Sequence, residues 1–170
     1  MKKRTSLAIL FSVFTGIVFA QEFQVPANYN LEKAEDYALY EQDVITGVKW
    51  LAETPIDQNK EKRREVNTFL LAWVIGSPDV HLEIREDIVS FVRNADMLMA
   101  FLGGWAKYSL ETRDFSNQLK GNLAGIENVI YVYIKNKNVI GKDKNIEKYI
   151  KLQSKGKLEE ELAKILSKNL

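Results

Sequence analysis

Apolar positions along this chain recur at helical spacing almost throughout, and polar breaks divide them into six or seven segments. From Leu31 to Leu51, one face carries Leu31, Ala34, Ala38, Ile45, Val48 and Leu51, and Tyr37, Tyr40, Val44 and Trp50 widen it. Asn28 or Asn30 is placed to cap this helix, Glu32, Glu35 and Asp36 suit its positive end, and Thr54-Pro55 ends it. A second helix follows, with Asp57 as its cap and Lys60 to Arg64 as a solvated basic first half. Its buried stripe is Val66, Phe69, Leu70, Trp73 and Val74; Gly76 is suited to a left-handed exit and Pro78 bars continuation.

Between Asp79 and Arg85 the period changes. Val80, Leu82 and Ile84 alternate with His81, Glu83 and Arg85, as in a strand, but no second alternating run exists to pair with it. An extended connection is therefore expected. Helical spacing then returns from Ile88 to Leu110, and ordinary helix lengths predict two helices dividing near Asn94-Ala95-Asp96, with Asn94 or Asp96 as cap. Gly103 and Gly104 sit inside the second of these. Each costs about 0.5–1 kcal/mol there relative to alanine, which predicts close approach of a neighbouring helix or, functionally, of a ligand.

After a polar break at Arg113 to Ser116, with Asp114 or Ser116 as cap, Leu119, Leu123, Ile126, Ile130 and Tyr133 mark another helix. Gly121 and Gly125 share one face of it and again suggest tight helix contact. Asn136 to Asp143 reads as a loop closing at Gly141. A short helix carries Ile146, Tyr149 and Ile150 and stops at Gly156. The last helix carries Leu158, Leu162, Ile165 and Leu166, with Glu159 to Glu161 near its positive end. The expected fold is all-α: a single domain over residues 21–170, built as an antiparallel bundle or helical-hairpin array, with one short extended segment near 79–85. No fixed repeat appears, the three tryptophans at 50, 73 and 105 being unevenly spaced.

Residues 1–20 stand apart from this pattern. Lys2, Lys3 and Arg4 precede an uncharged apolar run from Leu7 to Phe19, and Val18-Phe19-Ala20 then gives small or compact residues at −3 and −1 ahead of polar Gln21. This is the order of a secretory signal peptide, and the apolar run is shorter than the roughly 20 residues of a spanning helix. The chain has no cysteine, so neither an acylated cysteine nor a disulfide can hold the exported product, and a domain this long can bury enough surface without them. The expectation is a product of the periplasm or extracellular space, not membrane-spanning after cleavage.

Charge is changed by that cleavage. Three cations leave with the signal, and the 21 basic and 23 acidic side chains that remain give a net −2. Residues 135–170 hold ten lysines and five acids, whereas residues 21–134 are net acidic. A lysine-rich end could grip an anionic surface, but lysines alternating with helically spaced apolar residues fit a solvated face, and phosphate recognition favours arginine. Nucleic acid does not suit a net-acidic exported domain.

Candidate chemistry is sparse. His81 is the lone histidine; Glu83, Glu86 and Asp87 could join it at a metal, though the spacing matches no metal signature, and an exposed polar residue is the simpler expectation. No catalytic, cofactor-binding or metal-ligating set is assigned. Carboxylates are plentiful enough for a glycan hydrolase, without any pair being singled out. Trp73 and Trp105 lie on apolar stripes and belong to the core, whereas Tyr37, Tyr40, Tyr108 and Tyr131 suit either helix seams or a partner groove. The function expected from these residues is a non-catalytic helical binding protein of the cell envelope whose partner is a protein, peptide or glycan. A carboxylate-dependent hydrolase of cell-wall glycan, or a protein using its lysine-rich end on anionic surfaces, stands as the alternative.

Overall fold

The structure, a computed structural model, describes residues 23–91 and 93–168. The signal peptide expected over 1–20 lies outside the described residues. Seven helices follow in order: α1 (Ala34–Leu39), α2 (Glu41–Glu53), α3 (Lys60–Gly76), α4 (Ala95–Thr112), α5 (Gln118–Ile140), α6 (Lys144–Ser154) and α7 (Leu158–Ser167). Among the described residues there is no strand, and the chain is all-helical as its periodicity predicts.

The first predicted helix is split. The Tyr37 carbonyl accepts both the Trp73 indole Nε1–H (2.9 Å) and the backbone N–H of Tyr40 (3.2 Å), a tighter closure that ends α1 before α2 begins. Neither Asn28 nor Asn30 caps it. Asn28 takes a left-handed turn (φ 54°), and the Asp36 carboxylate instead accepts from the backbone of Glu32 and Lys33 (3.1 and 2.9 Å). At α3 the N-cap is Asn59, not Asp57. Gly76 is the last helical residue rather than a left-handed exit; a Cβ there would collide with the Tyr37 hydroxyl, so its role is to let α1 dock.

Residues 77–91, with 93 and 94, form the extended connection. Val80 is buried, Leu82 half-buried and Ile84 exposed, so the alternation faces inward only in part. The helix expected at its far end does not form. Ile88, Val89 and Phe91 are all buried in a run of turns, and the Ile88 carbonyl accepts the Tyr149 hydroxyl at 2.8 Å. Asn94 caps α4, its side chain accepting from the Met97 N–H (3.2 Å).

Neither Asp114 nor Ser116 caps α5. Asp114 takes the Tyr108 hydroxyl (3.1 Å), and Asn117 caps the helix through the Lys120 N–H (3.1 Å). The loop expected from Asn136 is instead the last turn of α5. Asn136 is buried and kinks the helix, donating to the Val132 carbonyl (2.8 Å) and accepting from the Ile56 N–H (2.9 Å). Only residues 141–143 remain as a connection before α6, which Asp143 caps. At the end of α6, Gly156 takes φ +65°, while the N–H groups of Gly156 and Lys157 return to the carbonyls of Gln153 and Leu152 (both 2.9 Å).

Helices α2 and α3 form an antiparallel hairpin, α2 also runs antiparallel to α4, and α4 to α5; α6 and α7 fold back as a hairpin over α5. It follows that α3 and α4 run in the same direction, and Arg63 and Asp96, in the first turns of each, lie together at 3.9 Å. The 77–94 connection makes this possible by travelling back along the molecule. Two apolar clusters result. One joins α4 to α5, α6, α7 and Ile88–Phe91; the other joins Phe23, α2, α3 and Val80 to Ala106 and Leu110 of α4. Trp73 and Trp105 are core residues at 1% and 2% exposure.

The glycines of α4 and α5 explain why that contact is so close. A Cβ on Gly104 would come within 2.6 Å of the Asn128 Cβ and 2.7 Å of the Ala124 carbonyl, and one on Gly125 within 2.6 Å of the Phe101 ring. Trp105 fills the space over Gly121. A neighbouring helix, not a ligand, occupies these positions.

Candidate functional site

Among the clefts that carry polar groups on this scaffold is a groove of about 440 Å³ between α3 and α4, within the usual range of small-ligand sites. From α3 come Lys60, Arg63, Arg64, Asn67 and Leu71, which follow helical spacing along one face; Leu98, Met99 and Leu102 of α4 form its apolar floor. Because the two helices run in the same direction, the cations of α3 and the N-terminal turn of α4 meet at one end. The lining holds three cations and no carboxylate. Leu71 is 40% exposed, and Ile75, one turn on, is 76% exposed, so apolar surface continues past the groove.

Arg63 is the structural root of that end. Far from being part of a solvated basic half-helix, its side chain is only 9% exposed. Its Nη2 donates to the carbonyl of Thr54 (2.5 Å), with those of Pro55 (3.3 Å) and Leu51 (3.4 Å) also in reach, closing the C-terminal end of α2. Burial pushes its ionisation down from the ordinary guanidinium range and Asp96 partly restores it. Its Nε–H and the Asn67 Oδ1 have no hydrogen-bond partner among the described residues, and both residues line the groove as well as a small cavity of about 10 Å³ beside it, about the size of one water.

A second cleft, about 320 Å³, lies between α4 and α5 and brings together Tyr108, Tyr131, Lys107, Glu111, Glu127 and Asn128. Burial pushes the Glu111 carboxyl up, but the ammonium groups of Lys49 (3.1 Å) and Lys107 (3.2 Å) outweigh it and hold it below its ordinary value. At the rim, Lys135 and the Tyr131 hydroxyl both donate to Glu53 and hold its carboxyl down likewise. A glycosidase acid needs the opposite shift, and these two carboxylates are tuned as ion-pair partners.

The four tyrosines divide. Tyr37 and Tyr40 pack at the seam with α3, against Trp73 and Phe69, whereas Tyr108 and Tyr131 line the second cleft. His81 is exposed, Asp87 is paired with Arg85 (2.8 Å), and among the described residues no three acids or histidines are placed to hold a metal ion. The lysine-rich end folds as α6 and α7, whose lysines and acids pair within the hairpin or onto α5: Lys148 with Glu161 (3.1 Å), Lys164 with Glu160 (2.6 Å), Lys120 with Glu159 (2.8 Å).

The groove itself escaped the sequence pattern, although one signal for it existed. Leu71 and Ile75 lie off the buried stripe of α3, a second apolar face that core packing does not use. No family model, no curated protein and no solved structure matches this chain.

Proposed function

We propose that this chain is an exported, non-catalytic binding protein and that the groove between α3 and α4 is where it takes its ligand. The observation that carries this reading is the lining: an apolar floor of Leu98, Met99 and Leu102, an exposed apolar wall at Leu71, and polar groups gathered at one end. Ligand sites have this composition, mostly apolar with a few convergent polar groups that set orientation. Among the described residues no helix is long and apolar enough to cross a membrane.

The test uses N-phenyl-1-naphthylamine, a neutral apolar fluorophore. It is expected to bind the full mature chain saturably, near one per molecule. Leu71→Glu, at a position 40% exposed, should weaken binding about ten-fold by placing a charge against the ligand while the helical circular dichroism stays unchanged. Absence of saturable binding, or binding indifferent to Leu71→Glu, removes the groove as the site.

A further inference from the structure

We infer that the groove ligand is a single-chain amphiphile with an anionic head, its head held at Lys60 and Arg64 and its alkyl chain laid along Leu71, Leu98 and Leu102; this rests on the groove being the binding site. The groove is polarised along its length. Lys60 and Arg64 are four residues apart on the exposed side of the first turns of α3, and Leu71 lies two to three turns further along the same helix. From Lys60 to Leu71 the helix rises about 16 Å, the reach of a medium-length alkyl chain.

Sign matters as much as length. Three cations and no carboxylate line the groove, so an anion entering it meets attraction and no like charge from the lining. Of these, Arg63 faces Asp96 at 3.9 Å and is committed to α2, which leaves Lys60 and Arg64 to carry the recognition. Arg64 pairs with Glu61 on the helix surface, but both partners are more than three-quarters solvent-exposed or close to it (75% and 79%), and such pairs yield readily to a competing anion. The Arg63 Nε–H, without a partner in a side chain nine-tenths buried, leaves an unmatched positive group beneath the same end. A cationic head meets like charge from Lys60 and Arg64, and a fully apolar ligand leaves their donors unused.

Displacement of the bound fluorophore decides it. Dodecanoate, dodecyl phosphate, dodecanol and dodecyltrimethylammonium are titrated as monomers against the mature chain at low salt. The two anions should compete about ten-fold better than the alcohol, and the cation should compete worst. In a Lys60→Ser/Arg64→Ser variant the ratio of anion to alcohol affinity should fall to about one, and raised salt should shrink it in the native chain. Lys151→Ser/Lys155→Ser, on the exposed side of the C-terminal hairpin, should leave the ratio unchanged. Fluorophore binding with no anion preference overturns this inference while the groove reading stands; so does a preference that survives Lys60→Ser/Arg64→Ser. Failure of the fluorophore to bind overturns both. Sedimentation with phosphatidylglycerol vesicles that depends on Lys60 and Arg64, without binding of dodecanoate, would overturn the single-chain ligand in favour of a bilayer surface, whereas binding of dodecanoate without such sedimentation supports it.

Discussion

Arg63 shows how one side chain can be misread from its neighbours. It stands in Lys60-Glu61-Lys62-Arg63-Arg64, which composition reads as solvent-facing, and only the helical angle relative to Val66 and Leu70 turns it inward. Its guanidinium satisfies carbonyls that the end of α2 leaves open, and no apolar residue can replace that. Arg63→Met should therefore lower stability by about 2–4 kcal/mol in urea unfolding, because buried carbonyls and Asp96 lose their partner together. Arg63→Lys should recover little, since a single ammonium lacks the planar fork. Unfolding midpoints indistinguishable from the native chain would show that α2 is closed by other means. By contrast Trp73 and Trp105 were legible from their stripes alone, because full burial of a large apolar side chain needs only one face to be known.

At the level of helices, periodicity covers the residues of all seven, but it joins α1 and α2 into one and adds a helix from Ile88 that does not form, and helix ends are read less well still. The caps expected at Asp57, Asp114 and Ser116 are passed over for Asn59 and Asn117, which lie nearer to where tertiary contacts turn the chain. Ile88 to Phe91 has helical spacing but is drawn into turns, with the Tyr149 hydroxyl taking up the Ile88 carbonyl. Gly103 and Gly104, adjacent in sequence, face different helices, and this separates them energetically. Gly104→Ala pushes a methyl toward α5 backbone 2.7 Å away and should destabilise by about 1–3 kcal/mol, more than the gain of up to about 1 kcal/mol in helix propensity. Gly103→Ala meets only the Val48 side chain, at 3.0 Å, and should cost less. Thermal unfolding of the two variants checks the order; equal melting temperatures would mean that α4 and α5 can move apart at little cost.

For the whole molecule, the direction of α3 relative to α4 is what the sequence concealed. Short connections predict antiparallel neighbours, and they hold for α2–α3, α4–α5 and α6–α7; the long segment from Ser77 to Asn94 reverses the rule for α3 and α4. A groove between two helices cannot be read from either helix alone, which is why Lys60 to Arg64 read only as the solvated basic half of one helix. Export belongs to this scale too. Processing after Ala20 should yield a chain beginning at Gln21 with net charge −2, checked by N-terminal sequencing and intact mass of the protein from the cell envelope or medium. Recovery of a chain still carrying Lys2 to Ala20 in the cytosol would refute it.

The interlock of α4 and α5 has a bearing on ancestry. Phe101 and Trp105 fit only where Gly125 and Gly121 carry no side chain, and Gly104 admits the opposing backbone in return. Surface charges and groove residues can drift without disturbing that fit, but none of these five can change alone. A template of Phe-x-x-Gly-Trp on one helix and Gly-x-x-x-Gly on the next, set at the distance of a tight hairpin, is thus the feature by which remote kin of this chain would be recognised after the rest of their sequences had diverged.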